Sequence, residues 1–441
     1  MTTTFKMKHP FSLLIFAAVT LLIILGSCKK NDPVTDTGQH ASSYNAEVLD
    51  KWMTIQLRLM RNATGIPNQA FSRHYAYAGI TALESLAPGI PGFTIWRSKW
   101  NGLKGLPEQG HAKDYYLPAN INAAMAAINR TLFPNATATD KAAIDSLENA
   151  LTQEFVLTQG ESKIDVSARF GKAVATAVYN WAETDGYKNA NSVYTPPVGN
   201  NVWKPTAPSF AVPSTPYWGN NRTVIFGSTA NTQPPIPITY STDPASPFYL
   251  MVKDVYDASQ NLTEDQKAMA IFWRDVPGVS SPGHWLSILQ QVTRMRKITL
   301  YEAALGYALT GAAVNDALIG VFQAKYQYNV VRPITYIREV MGNSSWSSYL
   351  ATPPHPEYIS AHSGLSAAAA EILQSLYGGS GTFTDHTYDY MGFASRTYSS
   401  FSAIAAEAGL SRFYAGIHYL PSINAGLEQG RKVANNIFSN K

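Results

Sequence analysis

Apolar residues in the first half of the chain recur at the spacing of one face of an α-helix. Ile144, Leu147, Leu151 and Phe155 step by three and four residues, and so do Phe170, Val174, Val178 and Trp181. Each set predicts one buried stripe. Polar residues at 135–140 supply capping side chains ahead of the first stripe, and Asp185-Gly186 closes the second. No two-residue alternation is sustained, so no sheet is predicted, and no fixed-period repeat is present. Between residues 196 and 247 the pattern stops: 11 of the 26 prolines fall there, together with Trp203 and Trp218. Proline has no amide donor and disrupts a helix interior, so this span predicts a long connection wrapped over the surface. Helical patterning resumes near Asp265, with breaks at 277–283, 353–356, 378–381 and Pro421. The expectation is an all-α chain, with a helical half at 46–190, a proline-rich connecting loop at 191–250 and a second helical half at 251–441.

The N-terminus has a different pattern. Lys6 and Lys8 precede an apolar stretch at 11–25, then Gly26, Ser27 and Cys28, in the order of an export signal. That stretch is shorter than the roughly 20 apolar residues a spanning helix needs. Leu25-Gly26-Ser27-Cys28 resembles the lipobox of bacterial lipoproteins. The expectation is a signal peptide at 1–27, a lipid on Cys28, a flexible tether at 28–45 and a place at the bacterial cell envelope, anchored to the membrane and facing periplasm or cell surface. Cys28 is the single cysteine, so the sequence holds no internal disulfide and no zinc-cysteine site.

With 441 residues, 45% of them hydrophobic and 15% charged, the chain is long enough to bury a large core. Formal net charge is +4, and two of those charges lie in the leader. Such a balance predicts no nucleic-acid partner.

Candidate chemistry gathers in the last third. Lys325 and Arg332 are seven residues apart, which on one helix places both on one face, and Pro333 predicts that the helix ends or bends at Arg332. Alone, such a pair is most often a solvated charged face. Next comes Pro353-Pro354-His355-Pro356-Glu357-Tyr358-Ile359-Ser360-Ala361-His362-Ser363-Gly364, ahead of a helical run at 365–377. Ser360 or Ser363 can cap that helix, whose N-terminal amides favour an anion. The third element is Ser411-Arg412-Phe413-Tyr414-Ala415-Gly416-Ile417-His418. Three cations and two histidines, with Glu357 the one acid among these motifs, predict a pocket for a small polyanion.

These three elements resemble the signature of the superfamily that joins vanadium-dependent haloperoxidases with type 2 phosphatidic acid phosphatases. Lys325 with Arg332-Pro333 matches fully. Ser360-Ala361-His362 matches with Ile359 and Ala361 in place of a proline and a glycine, and Ser411-Arg412 with His418 matches up to the final aspartate, where this chain has Ser422. The surroundings resemble the bacterial haloperoxidase branch.

The resemblance implies two helix bundles packed as one large domain, with the site in the C-terminal bundle. Lys325, Arg332, Arg412, Ser360 and the Ala361 amide would bind the oxygens of vanadate. His418 would be the vanadium ligand, His362 would move protons, and Lys325 would polarise bound peroxide. Hydrogen peroxide and halide are then the substrates. His355 stands where the resembling fungal chloroperoxidases carry Phe and algal bromoperoxidases carry His, which implies bromide or iodide. A phosphatase acting on a phosphate ester would use His418 as nucleophile and need no vanadate. Ser422, uncharged, is expected to orient His418 weakly, which counts against that alternative. A surface lipoprotein that only binds an anion is the second alternative. His284, in Pro282-Gly283-His284-Trp285, is expected at a helix start, packed by Trp285.

Overall fold

Both predicted stripes become helices that bury them. The structure is a computed structural model that describes residues 39–276, 278–379 and 381–439; the leader, Cys28 and most of the expected tether lie outside the described residues. Among the described residues, the first half contains α1 (Glu47–Asn62), α2 (Ala70–Ser85), α3 (Thr94–Arg97), α4 (Leu117–Leu132), α5 (Ala138–Gln159) and α6 (Glu161–Ala182). Thr137 caps α5 by accepting from the Asp140 amide, and Ile144, Leu151 and Phe155 are buried along it. Phe170, Val174, Val178 and Trp181 are buried along α6.

The second half contains α7 (Pro247–Gln260), α8 (Glu264–Phe272), α9 (Ser280–Arg296), α10 (Leu300–Tyr328), α11 (Pro333–Glu339), α12 (Ala361–Tyr377), α13 (Phe401–Tyr414) and α14 (Leu420–Ser439). The fold is all-α, two helical bundles in one large unit. The 29-residue α10 is its axis: it packs on α2 from the first half and on α12 and α14 from the second. By length and composition α10 could cross a bilayer, yet it is buried inside this fold. Backbones approach closely where α10 crosses α2. A Cβ at Gly311 would lie 2.8 Å from Ala76 Cα, so any larger residue there forces the helices apart.

Four sequence expectations are corrected. Packing begins before residue 46, since Ala41 is buried and Asn45 bridges to Thr299. Helix resumes at Pro247 rather than near Asp265, because Ser246 caps α7 and proline is tolerated in a first turn. Pro282 and Gly283 lie inside the start of α9 for the same reason. An antiparallel pair also forms, β1 (Phe383–Asp385) with β2 (Arg396–Tyr398), whose three-residue strands are too short to show an alternation.

The proline-rich connector wraps the second half. Asp316, buried on α10, accepts from the amides of Val224 and Ile225 and from Ser228 Oγ; burial pushes its carboxyl up to about 6 despite those donors. Farther along, Ser214 N donates to Pro354 O, and Tyr358 Oη donates to Pro235 O. The connector thus fastens the loop that leads into α12.

Candidate active site

Each site element is placed by a local rule of the backbone. Asn329, in the left-handed conformation at φ 48°, ends α10 one turn after Lys325. Arg332 is then extended (φ −77°, ψ 153°) as the N-cap of α11, with Pro333 at the first helical position. Lys325 and Arg332 therefore do not share a helix face, as their spacing suggested; the chain breaks between them and turns both inward. Ser360 caps α12 through its Oγ, which accepts from the Ser363 amide at 3.4 Å. Gly416, at φ 76°, makes the turn between α13 and His418, where a Cβ would come within 3.2 Å of Ser348.

A cavity of about 400 Å³ opens between these elements. His355, Ala361, His362, Arg412 and His418 line it, with Phe322 from α10, Ser209 from the connector and Asp275 at its rim. Lys325, Arg332 and Ser360 lie behind that wall, with no exposed surface.

The segment 355–357 is the hub. Lys325 Nζ donates to Pro356 O and Glu357 O, both at 2.9 Å. Arg332 donates from Nε to His355 O at 2.9 Å and from Nη1 to Ile417 O at 2.7 Å. Its Nη2 lies 3.0 Å from His355 Nδ1. A guanidinium only donates, so His355 Nδ1 is the acceptor, and its 3.3 Å approach to Pro356 O is a contact rather than a bond. Arg412 donates from Nη2 to Ala270 O at 2.7 Å and from Nε to Ser411 Oγ at 2.9 Å.

His418 is oriented on both sides. Its Nδ1 donates to Glu357 Oε1 at 2.7 Å, and its Nε2 lies 3.3 Å from Arg332 Nη1. The carboxylate accepts from Nδ1–H, which keeps the proton on Nδ1 and leaves the Nε2 lone pair to face the Arg332 guanidinium. The expectation that Ser422 orients His418 is corrected: a carboxylate does so, delivered from the α12 loop. Glu357 is the functional residue that sequence reasoning left unassigned. Its one visible signal was being the single acid among the motifs.

Burial governs the electrostatics. It lowers Arg332 and Arg412 each to about 10 and puts Lys325 well below its ordinary value, with Arg332 pushing the lysine down and Glu357 pulling it up. Glu357 is raised to about 7 by burial, against the pull of Arg332 and Lys325. His355 and His418 are held well below the usual imidazole range by burial and then by neighbouring cations. His362 is lowered to about 4 by burial and then by Arg412, and its Nε2 donates to Trp273 O at 2.8 Å. Asp275 lies 3.8 Å from that nitrogen.

Three buried cations thus face one buried carboxylate, with the partly exposed Asp275 at the rim. Uncompensated buried charge costs several kcal/mol per ion, so a bound oxyanion is what this donor set fits. Vanadate fits it, with the His418 Nε2 lone pair, now facing Arg332 Nη1 at 3.3 Å, as the atom that would act as ligand.

His284 belongs elsewhere. It is buried, pairs with Asp385 at 2.6 Å and stacks on Trp273 at 4.2 Å, not on Trp285 as expected. It supports Trp273, whose carbonyl holds His362.

The VCPO second helical-bundle domain matches residues 306–440. A crystal structure of the first bacterial vanadium-dependent iodoperoxidase is similar over 90% of this chain and 96% of that one, at 28% identity and a TM-score of 0.79. The holo-type and apo-type bacterial vanadium-dependent chloroperoxidases share the fold at 17% and 16% identity, each with a TM-score of 0.65. They cover 84% and 86% of this chain and 91% and 95% of their own. No curated protein matches in sequence. Residues 306–440 thus match the VCPO second helical-bundle domain, and the chain shares over most of its length the all-α fold of the bacterial vanadium-dependent haloperoxidases, with its cation–histidine constellation assembled in the matched half.

Proposed function

We propose that this protein is a vanadium-dependent haloperoxidase that oxidises bromide or iodide with hydrogen peroxide. The observation that carries the reading is His418, neutral, its Nδ1 on Glu357 and its Nε2 lone pair set among buried cations. Vanadate, when bound, supplies a Lewis acid that activates hydrogen peroxide toward halide. In the balanced reaction one halide, one peroxide and one proton give hypohalous acid and water.

The chain's own residues supply the rest. Lys325, Arg332 and Arg412 would neutralise the oxyanion, with Ser360 and the Ala361 amide as further donors and His418 Nε2 as ligand. Lys325 would also polarise bound peroxide. His362, its Nε2–H committed to Trp273 O, keeps Nδ1 as the site that would accept and return the proton. His355 lines the cavity beside Phe322 and offers a polar wall to halide, which supports bromide or iodide over chloride. We also propose the lipid anchor at Cys28 and a place at the bacterial cell envelope; Cys28→Ala should release the protein from membranes, and an intact Met1 on native soluble protein would contradict it.

A phosphatase acting through a phosphohistidine is the second reading. Glu357 favours it more than Ser422 did, since a carboxylate now orients the nucleophile. Likeness to the iodoperoxidase over most of both chains supports the haloperoxidase. The deciding experiment gives purified protein vanadate, peroxide, bromide or iodide and a phenolic dye. Halide-dependent, vanadate-dependent halogenation is expected. Phosphate-ester hydrolysis lost in His418→Ala, with no halogenation between pH of about 5 and 8, where histidines titrate, would assign the phosphatase instead.

A further inference from the structure

Position 422 and position 357 divide one task in an unexpected way. The motif resemblance places a carboxylate four residues after the histidine, where this chain has Ser422. Ser422 is buried and engaged through its backbone, its carbonyl accepting from the Ser360 amide at 3.3 Å. Glu357, 61 residues before His418 in sequence, has no exposed surface. Its Oε1 receives two donors from consecutive residues, His418 Nδ1 at 2.7 Å and the Tyr419 amide at 3.0 Å, which fixes both the carboxylate and the ring. The Glu357 backbone is pinned as well: its amide donates to Val330 O at 3.0 Å and its carbonyl accepts from Lys325 Nζ at 2.9 Å.

We propose that Glu357 is the positioning residue of this site: in the place of a carboxylate at 422, it holds His418 with Nδ1 protonated and the Nε2 lone pair available for a ligand to take in place of Arg332 Nη1, and thereby gives the site its preference for vanadate over phosphate. The second half of this inference rests on the reading that vanadate binds through His418. Phosphate in its resting state needs only charge and hydrogen bonds from the cradle. Vanadate needs these and also a bond to Nε2. The negative charge of Glu357 repels both anions alike, yet through His418 it assists only vanadate. Neutralising Glu357 therefore separates the two anions, whereas a residue that merely held the fold together would weaken both in step.

Binding of vanadate and of inorganic phosphate, each without peroxide, is measured by calorimetry on the full chain, on Glu357→Gln and on the double variant Glu357→Gln/Ser422→Asp. Glu357→Gln should weaken vanadate about tenfold or more, as expected when the outer partner of a ligating histidine is lost, while phosphate binds as well as before or better. The double variant, with its carboxylate moved to 422, should recover most of the vanadate affinity. A vanadate-to-phosphate ratio unchanged by Glu357→Gln, or no recovery in the double variant, would overturn the proposal. Nitrogen NMR of histidine-labelled, ligand-free protein, with His418→Asn assigning the signal, gives an independent readout. The Nδ1–H tautomer is expected for His418; the Nε2–H tautomer would overturn the positioning role even if Glu357→Gln did not fold. Should the unaltered protein show that tautomer but bind vanadate no better than phosphate, the proposed function and the selectivity claim fail and the positioning of His418 stands.

Discussion

Each half of the molecule buries arginine, and the two halves treat it in opposite ways. In the first half Arg73 donates from Nε to Asp185 Oδ2 at 2.6 Å and from Nη2 to Ala182 O at 2.7 Å, and Tyr77 Oη donates to the same carboxylate oxygen. Arg97, partly exposed, donates from Nε to the buried Glu84 at 2.9 Å. In the second half Arg332, Arg412 and Lys325 rest largely on backbone carbonyls, with Glu357 the one buried carboxylate among them. A carbonyl orients a cation without neutralising it. The first arrangement is complete as it stands and ties helices together, whereas the second leaves positive charge for a ligand to neutralise.

The largest expected effect lies in the first half. Asp185→Ala strands a buried guanidinium and should cost about 3 to 5 kcal/mol of stability, read by chemical denaturation, with anion affinity unchanged. A matching loss of anion affinity would erase the distinction between the halves. Next, Arg332→Ala and Arg412→Ala should each weaken vanadate or phosphate binding by roughly 2 to 5 kcal/mol, read by calorimetry. Affinity that survives both substitutions would show that these cations serve the fold alone.

A smaller effect is a function of pH. His362 has its pKa lowered from 6.5 to about 4 by burial and then by Arg412. The folded state therefore takes up this proton later than the unfolded one. Its contribution to stability is fully present above pH 6.5 and is lost as pH falls through about 4. The stability of the unaltered protein relative to His362→Asn should shrink by up to roughly 3 kcal/mol across that window. A difference that stays flat with pH would mean that His362 titrates as it does in the unfolded chain. The smallest effect concerns halide. His355→Phe should shift the rate ratio toward chloride by up to about tenfold, some 1.4 kcal/mol; efficient chloride oxidation by the unaltered protein would contradict the role given to His355.

The sequence made the helices legible where one stripe met one cap, as with Thr137 and Ile144 to Phe155. It made the site's cations legible because Lys325, Arg332 and Arg412 stand in short, spaced motifs. Their conformation was less legible, since seven residues of helix and a helix broken at Asn329 share the same spacing. Position 357 was hidden for a different reason. Its bond to His418 spans 61 residues and is made by tertiary packing, which no local periodicity records. The strand pair and the early start of α7 were missed because short strands carry no alternation and because proline at a first turn reads as a breaker.

Calorimetric titration of the peroxide-free protein with vanadate, repeated in the presence of phosphate and with His418→Ala, tests most directly whether the uncompensated cations form an oxyanion site. One vanadate per chain should bind, phosphate should compete for the same place, and His418→Ala should lose the vanadate preference while keeping phosphate binding. Absence of binding, or vanadate binding that neither phosphate nor His418→Ala disturbs, would contradict the account.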